Sequence, residues 1–248
     1  MAAAVFAGPV PPCAGRPVAT AVAVRTEKPE LLILQTGAAV RLEGIRLPDA
    51  ALDRAPRSVE RQATAALGKL IRKKRLALYA AQPYRDRYGR MRVQAFDESG
   101  VWLQVALLAA GWARADPAPD RGECMAEFYA AEAEARAARR GLWAFPAYAV
   151  RTPDNVGADV GTFQIVTGRV LDADIQNGRA FLNFGEDWKN DFTITISPED
   201  LRRFKRMHPR PPTPLRYLGE IVRARGIVES YNGPEIEVGS PWQIEIEH

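Results

Sequence analysis

The sequence predicts a mainly β protein of the α+β class, built as two domains, and three observations carry that prediction. Short apolar runs bounded by turn residues recur from Ala21 to Phe96. Two stretches in the first half instead repeat apolar residues at helical spacing: Val59, Ala63, Ala66, Leu67 and Leu70, then Phe128, Ala131 and Ala135. Beyond residue 160 the pattern returns to short strands, divided by Asn177-Gly178 and Asn232-Gly233, which are strong two-residue hairpin turns.

The totals narrow the chemistry. With 248 residues the chain is long enough for one large or two small domains. Lys plus Arg number 34 against 30 Asp plus Glu, a net charge of +4 that permits a nucleic-acid partner without requiring one. The two histidines, His208 in a Pro-rich loop and His248 at the end, are not placed for a Ser-His-Asp triad, a Cys-His pair or a His-based metal site. Two cysteines, Cys13 and Cys124, cannot build a Cys-rich zinc site. Chemistry is left to carboxylates, arginines, lysines and tyrosines, with an oxygen-ligated metal as the remaining option.

Taken in order, residues 1–20 read as an Ala/Val/Pro/Gly-rich tail with no charge before Arg16 and without the n-region and apolar core of a secretory signal. No run reaches the length of a membrane span. Residues 21–147 form the first domain. Leu31–Leu34, a Thr36-Gly37 turn and Val40–Ile45 make a hairpin, and Ser58 is expected to cap the next helix. Leu76–Tyr79 and Met91–Phe96 are two further strands. Val101–Ala113 reads as a buried helix, and a longer one follows, opened by an Asp120/Glu123 capping box and stopped at Gly141 as its C′ residue. Pro146, Pro153 and Gly157 mark a linker over 148–160. Residues 161–248 hold strands Phe163–Val170, Ala180–Phe184, Phe192–Ile196, Ile221–Val228, Ile236–Val238 and Ile244–Ile246. A helix opened by Ser197 with Pro198 at its first position separates the third from the fourth. That arrangement suggests a second, small OB-like β-barrel.

Two stretches carry candidate chemistry. Asp86-Arg87-Tyr88-Gly89-Arg90 forms a tight turn with two arginines and a tyrosine. Val40-Arg41-Leu42-Glu43-Gly44-Ile45-Arg46-Leu47-Pro48-Asp49 supplies two further arginines, Arg41 and Arg46, and two carboxylates, Glu43 and Asp49. Guanidinium forks match phosphate oxygens in pairs, and a tyrosine ring can stack on a base. Attack on a phosphodiester concentrates charge on its nonbridging and leaving oxygens, which two guanidiniums can neutralise while a carboxylate holds the attacking water. The same residues also read structurally, with Arg41 paired to Glu43 and with Asp49 and Asp53 capping turns.

These stretches resemble the thermonuclease (staphylococcal-nuclease-like) family from about Ala21 to Trp143. The resemblance rests on V-R-L-x-G-I-x-x-P-[ED] at 40–49, D-R-Y-G-R at 86–90, the Ala-Gly-Trp-Ala run at 110–113 and E-x-x-A-R-x-x-x-x-G-L-W from Glu132 to Trp143. It implies a five-stranded OB-fold barrel packed by helices, and a nuclease that cleaves DNA or RNA with little sequence preference. Arg41 and Arg90 fall on the family's phosphate-binding arginines, Asp49 on its catalytic carboxylate, and Arg87 and Tyr88 on positions flanking the nucleotide. The family's metal is calcium. Of its carboxylate ligands one falls near Glu30, Asp49 stands beside it, and the other falls on Arg46, a reversal of charge. That departure sets a second reading beside the nuclease: a tandem OB-fold protein that binds nucleic acid with an impaired catalytic site.

Residues 178–192 and 223–234 resemble an OB-like module found after nuclease domains in some bacterial relatives. Phe181, Phe184, Trp188, Tyr231 and Trp242 are taken mostly as its core. Cys13 and Cys124 resemble a disulfide pair of secreted relatives, which implies a periplasmic or extracellular protein; two free thiols in the cytoplasm are the alternative. The expected partner is single-stranded DNA or RNA, with no membrane, no protein partner evident, and a monomeric state.

Overall fold

A computed structural model describes residues 10–28, 30–86, 88–187, 190–207 and 213–247. The chain divides into two compact units. Unit 1 comprises Met1–Ala51, Ala55–Ala115 and Glu123–Phe145; unit 2 comprises Leu52–Arg54, Asp116–Gly122 and Pro146–His248.

In unit 1 the strands are β1 (Arg16–Lys28), β2 (Leu31–Leu34), β3 (Ala39–Leu42), the two-residue β4 (Ile45–Arg46), β5 (Arg75–Ala80), β6 (Met91–Asp97) and the two-residue β7 (Arg114–Ala115). The helices are α1 (Arg57–Ile71), α2 (Leu103–Ala109) and α3 (Met125–Ala137). Five strands close a barrel in the order β1-β2-β3-β6-β5. Closure depends on the length of β1. Its first half pairs with β5, from Arg16↔Ala80 to Val22↔Arg75, and its second half pairs with β2. Register shifts between Pro17 and Ala19 and between Ala23 and Arg25 bend the strand around the corner. β3 runs parallel to β6, with α1 in the connection between β3 and β5. This is the OB arrangement expected from the sequence. It takes in part of the expected tail, since Arg16–Thr20 belong to β1.

Alternation fills the barrel. Leu32, Leu42, Leu76, Leu78, Val93 and Ala95 are fully buried, and α1 adds Val59, Ala63, Leu67 and Ile71 from one face. Tyr79, Phe96, Trp102 and Phe128 form a chain of ring contacts 5.1–5.5 Å apart that ties β5 and β6 to α2 and α3.

Both helix starts differ from expectation. Pro56, not Ser58, is the N-cap of α1, and Cys124 is the N-cap of α3, downstream of Asp120 and Glu123. The helix ends are closed by a shared device. The α2 helix stops at Gly111 (φ 74°), whose N–H donates to Leu108 O while the Trp112 N–H reaches Leu107 O. The same pair of bonds closes α3, but through Arg139 (φ 51°) rather than Gly141. Gly141 serves a different purpose. A Cβ there would lie 2.2 Å from Gly111 O, and a Cβ on Gly111 would lie 2.2 Å from Arg140 O. The Leu142 N–H donates to Gly111 O at 2.8 Å, so two backbones touch where only glycine fits.

In unit 2 the strands are β8 (Phe163–Arg169), β9 (Asp172–Gln176), β10 (Arg179–Asn183), β11 (Thr193–Ile196), β12 (Ile221–Ile227), β13 (Glu229–Ser230), β14 (Pro234–Glu237) and β15 (Ile244–Ile246), with α4 (Pro198–Met207) after β11. They form a five-stranded sheet, β13-β14-β11-β10-β9, and a three-stranded sheet, β15-β12-β8. The connectivity parallels that of unit 1. β8 and β9 together take the place of β1, α4 follows the third strand position, and β11 runs parallel to β14 as β3 does to β6. Among the described residues no ladder joins β12 to β14, so the strands stand as two sheets over one core and do not close as the expected second barrel. Asn177-Gly178 and Asn232-Gly233 adopt the positive φ pairs of tight hairpin turns. Ser197 caps α4, accepting the Asp200 N–H at 3.1 Å. Residues 148–160, expected as a linker, lie within unit 2 and are packed: Tyr148 and Val156 are buried, and the Tyr148 hydroxyl donates to Asp53. Of the aromatics expected in the core, Phe184 is buried, Phe181 and Trp242 are half-buried, Tyr231 is exposed, and Trp188 lies outside the described residues.

Candidate functional site

The ladder between β3 and β6 positions the arginines. In β3, Val40 and Leu42 point into the barrel, so Arg41 points out. Arg41 lies opposite Arg92 in the parallel register, which puts both on the outer face. Arg90 lies in the turn that leads into β6, two residues before Arg92. That segment is braced as a hairpin: the Arg92 N–H donates to Tyr84 O, and the Asp86 N–H to Arg90 O. Strand period thus puts Arg41 outside the barrel in register with Arg92.

Asp86 fixes the turn. Its Oδ1 accepts the N–H groups of Tyr88 and Arg90 at 2.9 and 3.0 Å, and its Oδ2 lies 2.7 Å from both Nε and Nη2 of Arg90. Burial pushes the Asp86 carboxyl up, but the Arg90 side chain and the two backbone N–H groups outweigh it and hold the carboxyl below its ordinary value. Gly89 supplies the positive φ (77°) with open space around it. The Arg90 guanidinium stacks over the Tyr88 ring at 4.7 Å, and Tyr88 is exposed. Arg87 lies outside the described residues.

Arg41 is one-third exposed and pairs with Glu30 at 3.7 Å, rather than with Glu43. Glu43 is buried and pairs with Arg92, also at 3.7 Å. Asp49 follows β4 in a turn where its Oδ1 accepts the Ala51 N–H at 3.0 Å and Glu60 accepts the Ala50 N–H at 2.9 Å. Arg46 stands in β4 directly opposite Arg114 of β7, which is fully buried.

Residues 39–145 match the family model SNase, Staphylococcal nuclease homologue. No curated protein matches the chain. The match supports a thermonuclease-like domain, and the matched stretch carries β3, β6, the turn at 86–90, both glycines of the α2–α3 contact and Asp49. β1, β2 and Glu30 lie upstream of it.

The donor set does not fit the calcium ion that the family resemblance implies. A hard cation takes six to eight oxygens, largely from carboxylates. Here Glu30 is engaged by Arg41, the next expected ligand is the cation Arg46, and among the described residues no cluster of three His, Cys, Asp or Glu side chains could hold a metal.

Cys13 and Cys124 are joined in a disulfide, with Cα atoms 5.2 Å apart across 111 residues of sequence. This agrees with an oxidising compartment. Among the described residues no helix is long and apolar enough to cross a membrane.

Sequence reasoning names Asp86 and Glu43 without the partners they take here, and passes over Arg92. An aspartate that opens a four-residue turn ending in Gly-Arg, and an arginine two residues on, are the signals that mark Asp86 and Arg92.

Proposed function

We propose that the SNase domain binds single-stranded nucleic acid through its phosphodiester backbone, on the outer face of the β3–β6 ladder, without a resident calcium ion. Supporting this reading, Arg41 stands in register with Arg92 across that ladder, and Arg90 lies in the turn that leads into β6. Arg41 and Arg90 are each already oriented by a carboxylate, Glu30 or Asp86, so the guanidinium loses little freedom when it donates to phosphate oxygens. Tyr88, stacked under Arg90, offers a ring against which a base can lie. The disulfide supports action in the periplasm or outside the cell.

Fluorescence anisotropy with a labelled oligodeoxythymidine over a salt series tests this. For every phosphate that is no longer neutralised, the slope of log K against log salt should fall by about 0.7. Arg41→Ala and Arg90→Ala are each expected to flatten the slope by about that amount and to weaken binding at low salt. A slope unchanged in both variants overturns the proposal.

A second reading, hydrolysis, is supported by the resemblance, which puts Arg41, Asp49 and Arg90 on the family's catalytic positions in the sequence. There Asp49 holds and polarises the attacking water while the guanidiniums stabilise the developing charge. Incubating the same oligonucleotide with calcium and with chelator separates the two readings. Turnover abolished by Asp49→Ala favours hydrolysis; binding with no turnover favours the first.

A further inference from the structure

The outer face of the five-stranded sheet in unit 2 carries a groove of about 950 Å³. Register orders the side chains on this face. Asp172 lies opposite Asn183, Asn183 opposite Thr193, Thr193 opposite Glu235 and Glu235 opposite Glu229, one row crossing all five strands. The next row runs Asp174, Phe181, Thr195, Glu237. Between them Ala173, Leu182, Ile194 and Ile236 point the other way, into the core. The face is thus strongly acidic. A basic residue on the same side of β10, Arg179, is already paired with Glu237 at 2.9 Å.

Glu235 is the unusual member. It is 8% exposed and lines the groove, and no hydrogen bond or ion pair reaches its carboxylate among the described residues. Burial pushes its carboxyl above the ordinary value; Arg179 opposes the rise, and Glu229 and Glu237 add to it. A carboxylate so buried ordinarily has a cationic or hydrogen-bonding partner. Among the described residues nothing supplies that partner, and a cation entering the groove can.

We infer that this groove binds a Lys- or Arg-rich peptide segment of another protein, with one cationic side chain seated on Glu235. The lining chooses among cations. No group of three carboxylates among the described residues is disposed to hold a metal. Phe181, Leu171 and the exposed Tyr231 offer apolar and aromatic surface for the aliphatic stem and the charged head of such a side chain. Gln176, Asn183 and Asn232 add amides that both donate and accept, matching a peptide backbone; a polyamine supplies donors alone. Asp172 and Glu235 stand three strands apart, about 14 Å at the usual strand spacing, which an extended peptide spans between residues four apart. The same charge repels a phosphate backbone, so this face does not extend a nucleic-acid groove.

The inference is independent of the reading of unit 1. It is tested by isothermal titration of the full chain with hexa-arginine, with spermine as a second probe. Hexa-arginine should bind, more weakly as salt is raised. Glu235→Gln should reduce affinity about tenfold, as expected for loss of a charge-assisted hydrogen bond. Tyr231→Ala should reduce it less. The exposed control Glu98→Gln in unit 1 should leave it unchanged, and circular dichroism should show both glutamate variants folded. Absence of binding, an equal loss in Glu235→Gln and Glu98→Gln, or spermine binding as tightly as the peptide each overturns the inference.

Discussion

Arg46 stands directly across the β4–β7 ladder from Arg114, two guanidinium-bearing side chains in register at the place where the family resemblance calls for a calcium-binding carboxylate. Two like charges about 4 Å apart repel by about 4 kcal/mol at an effective dielectric near 20, so a divalent ion added beside a guanidinium meets a comparable penalty. Millimolar calcium is therefore expected to leave the Tm of the protein within about 1 °C of its value in chelator, since a ligand that does not bind the native state cannot stabilise it. Differential scanning fluorimetry reads this directly. A rise in Tm specific to calcium would show that oxygens outside Glu30 and Asp49 complete a site.

The Asp86–Arg90 pair orders the turn that presents Tyr88. Asp86→Ala removes an ion pair and two backbone caps at once, and should cost about 2 kcal/mol in denaturant unfolding, the scale of a buried charged hydrogen-bond network. Asp86→Asn keeps an acceptor for the N–H groups and should cost less. Both should weaken oligonucleotide binding, because Arg90 loses the carboxylate that orients it. An Asp86→Ala variant that binds as tightly as the parent would separate the turn from the site.

Much of this architecture is legible in the sequence where local physics decides it. Val59, Ala63 and Leu67 repeat on one helix face, and the Asn-Gly pairs close hairpins because their backbones accept positive φ. The illegible part is set by distant partners. α3 starts at Met125, with Cys124, the residue that the disulfide ties to Cys13, as its N-cap in place of the Asp120/Glu123 box. β9 and β13 are hidden because Asp172, Asp174 and Glu229 present a polar face outward, and a half-exposed strand with such residues does not look apolar. The arginines of the site are legible as motif positions. The ion pairs around them, Arg41 with Glu30 and Arg92 with Glu43, depend on which strands lie side by side.

The contact between Gly111 and Gly141 should be intolerant of any side chain. Alanine at Gly111 faces both a left-handed φ and a carbonyl oxygen 2.2 Å from its Cβ, so Gly111→Ala is expected to destabilise by more than about 2 kcal/mol. Gly37, also at positive φ but with open space around it, should lose only about 1 kcal/mol on the same change. Urea unfolding of the two variants compares them. Equal losses would mean that dihedral preference alone, and not backbone contact, fixes Gly111.

The Cys13–Cys124 bridge closes most of unit 1 into one loop. On the chain-entropy model a loop of 111 residues is worth about 4–5 kcal/mol. Reduction, or Cys13→Ser with Cys124→Ser, should lower the urea midpoint accordingly. The urea m-value should rise, because the unbridged unfolded chain is less compact. A midpoint unmoved by reductant, with free thiols verified, would remove the bridge as a source of stability.

Asp97 gives unit 1 an acid limit. Its carboxylate is buried, takes an ion pair from the Lys74 ammonium, and accepts the Ser99 hydroxyl and the N–H groups of Ser99 and Val101, organising the turn from β6 into α2. Burial acts to raise its pKa, but these donors prevail and bring it from 3.8 down to about 2. A folded-state pKa below the unfolded one means that the unfolded chain binds the proton first. The stabilisation is therefore complete above about pH 4, falls as pH drops from about 4 to 2, and amounts to about 2 kcal/mol. Asp97→Asn should lower stability at neutral pH and flatten the loss between pH 4 and 2. Chemical denaturation at pH 7, 4 and 2.5 measures both effects, and parallel curves for parent and variant across that window would assign the acid sensitivity to other carboxylates.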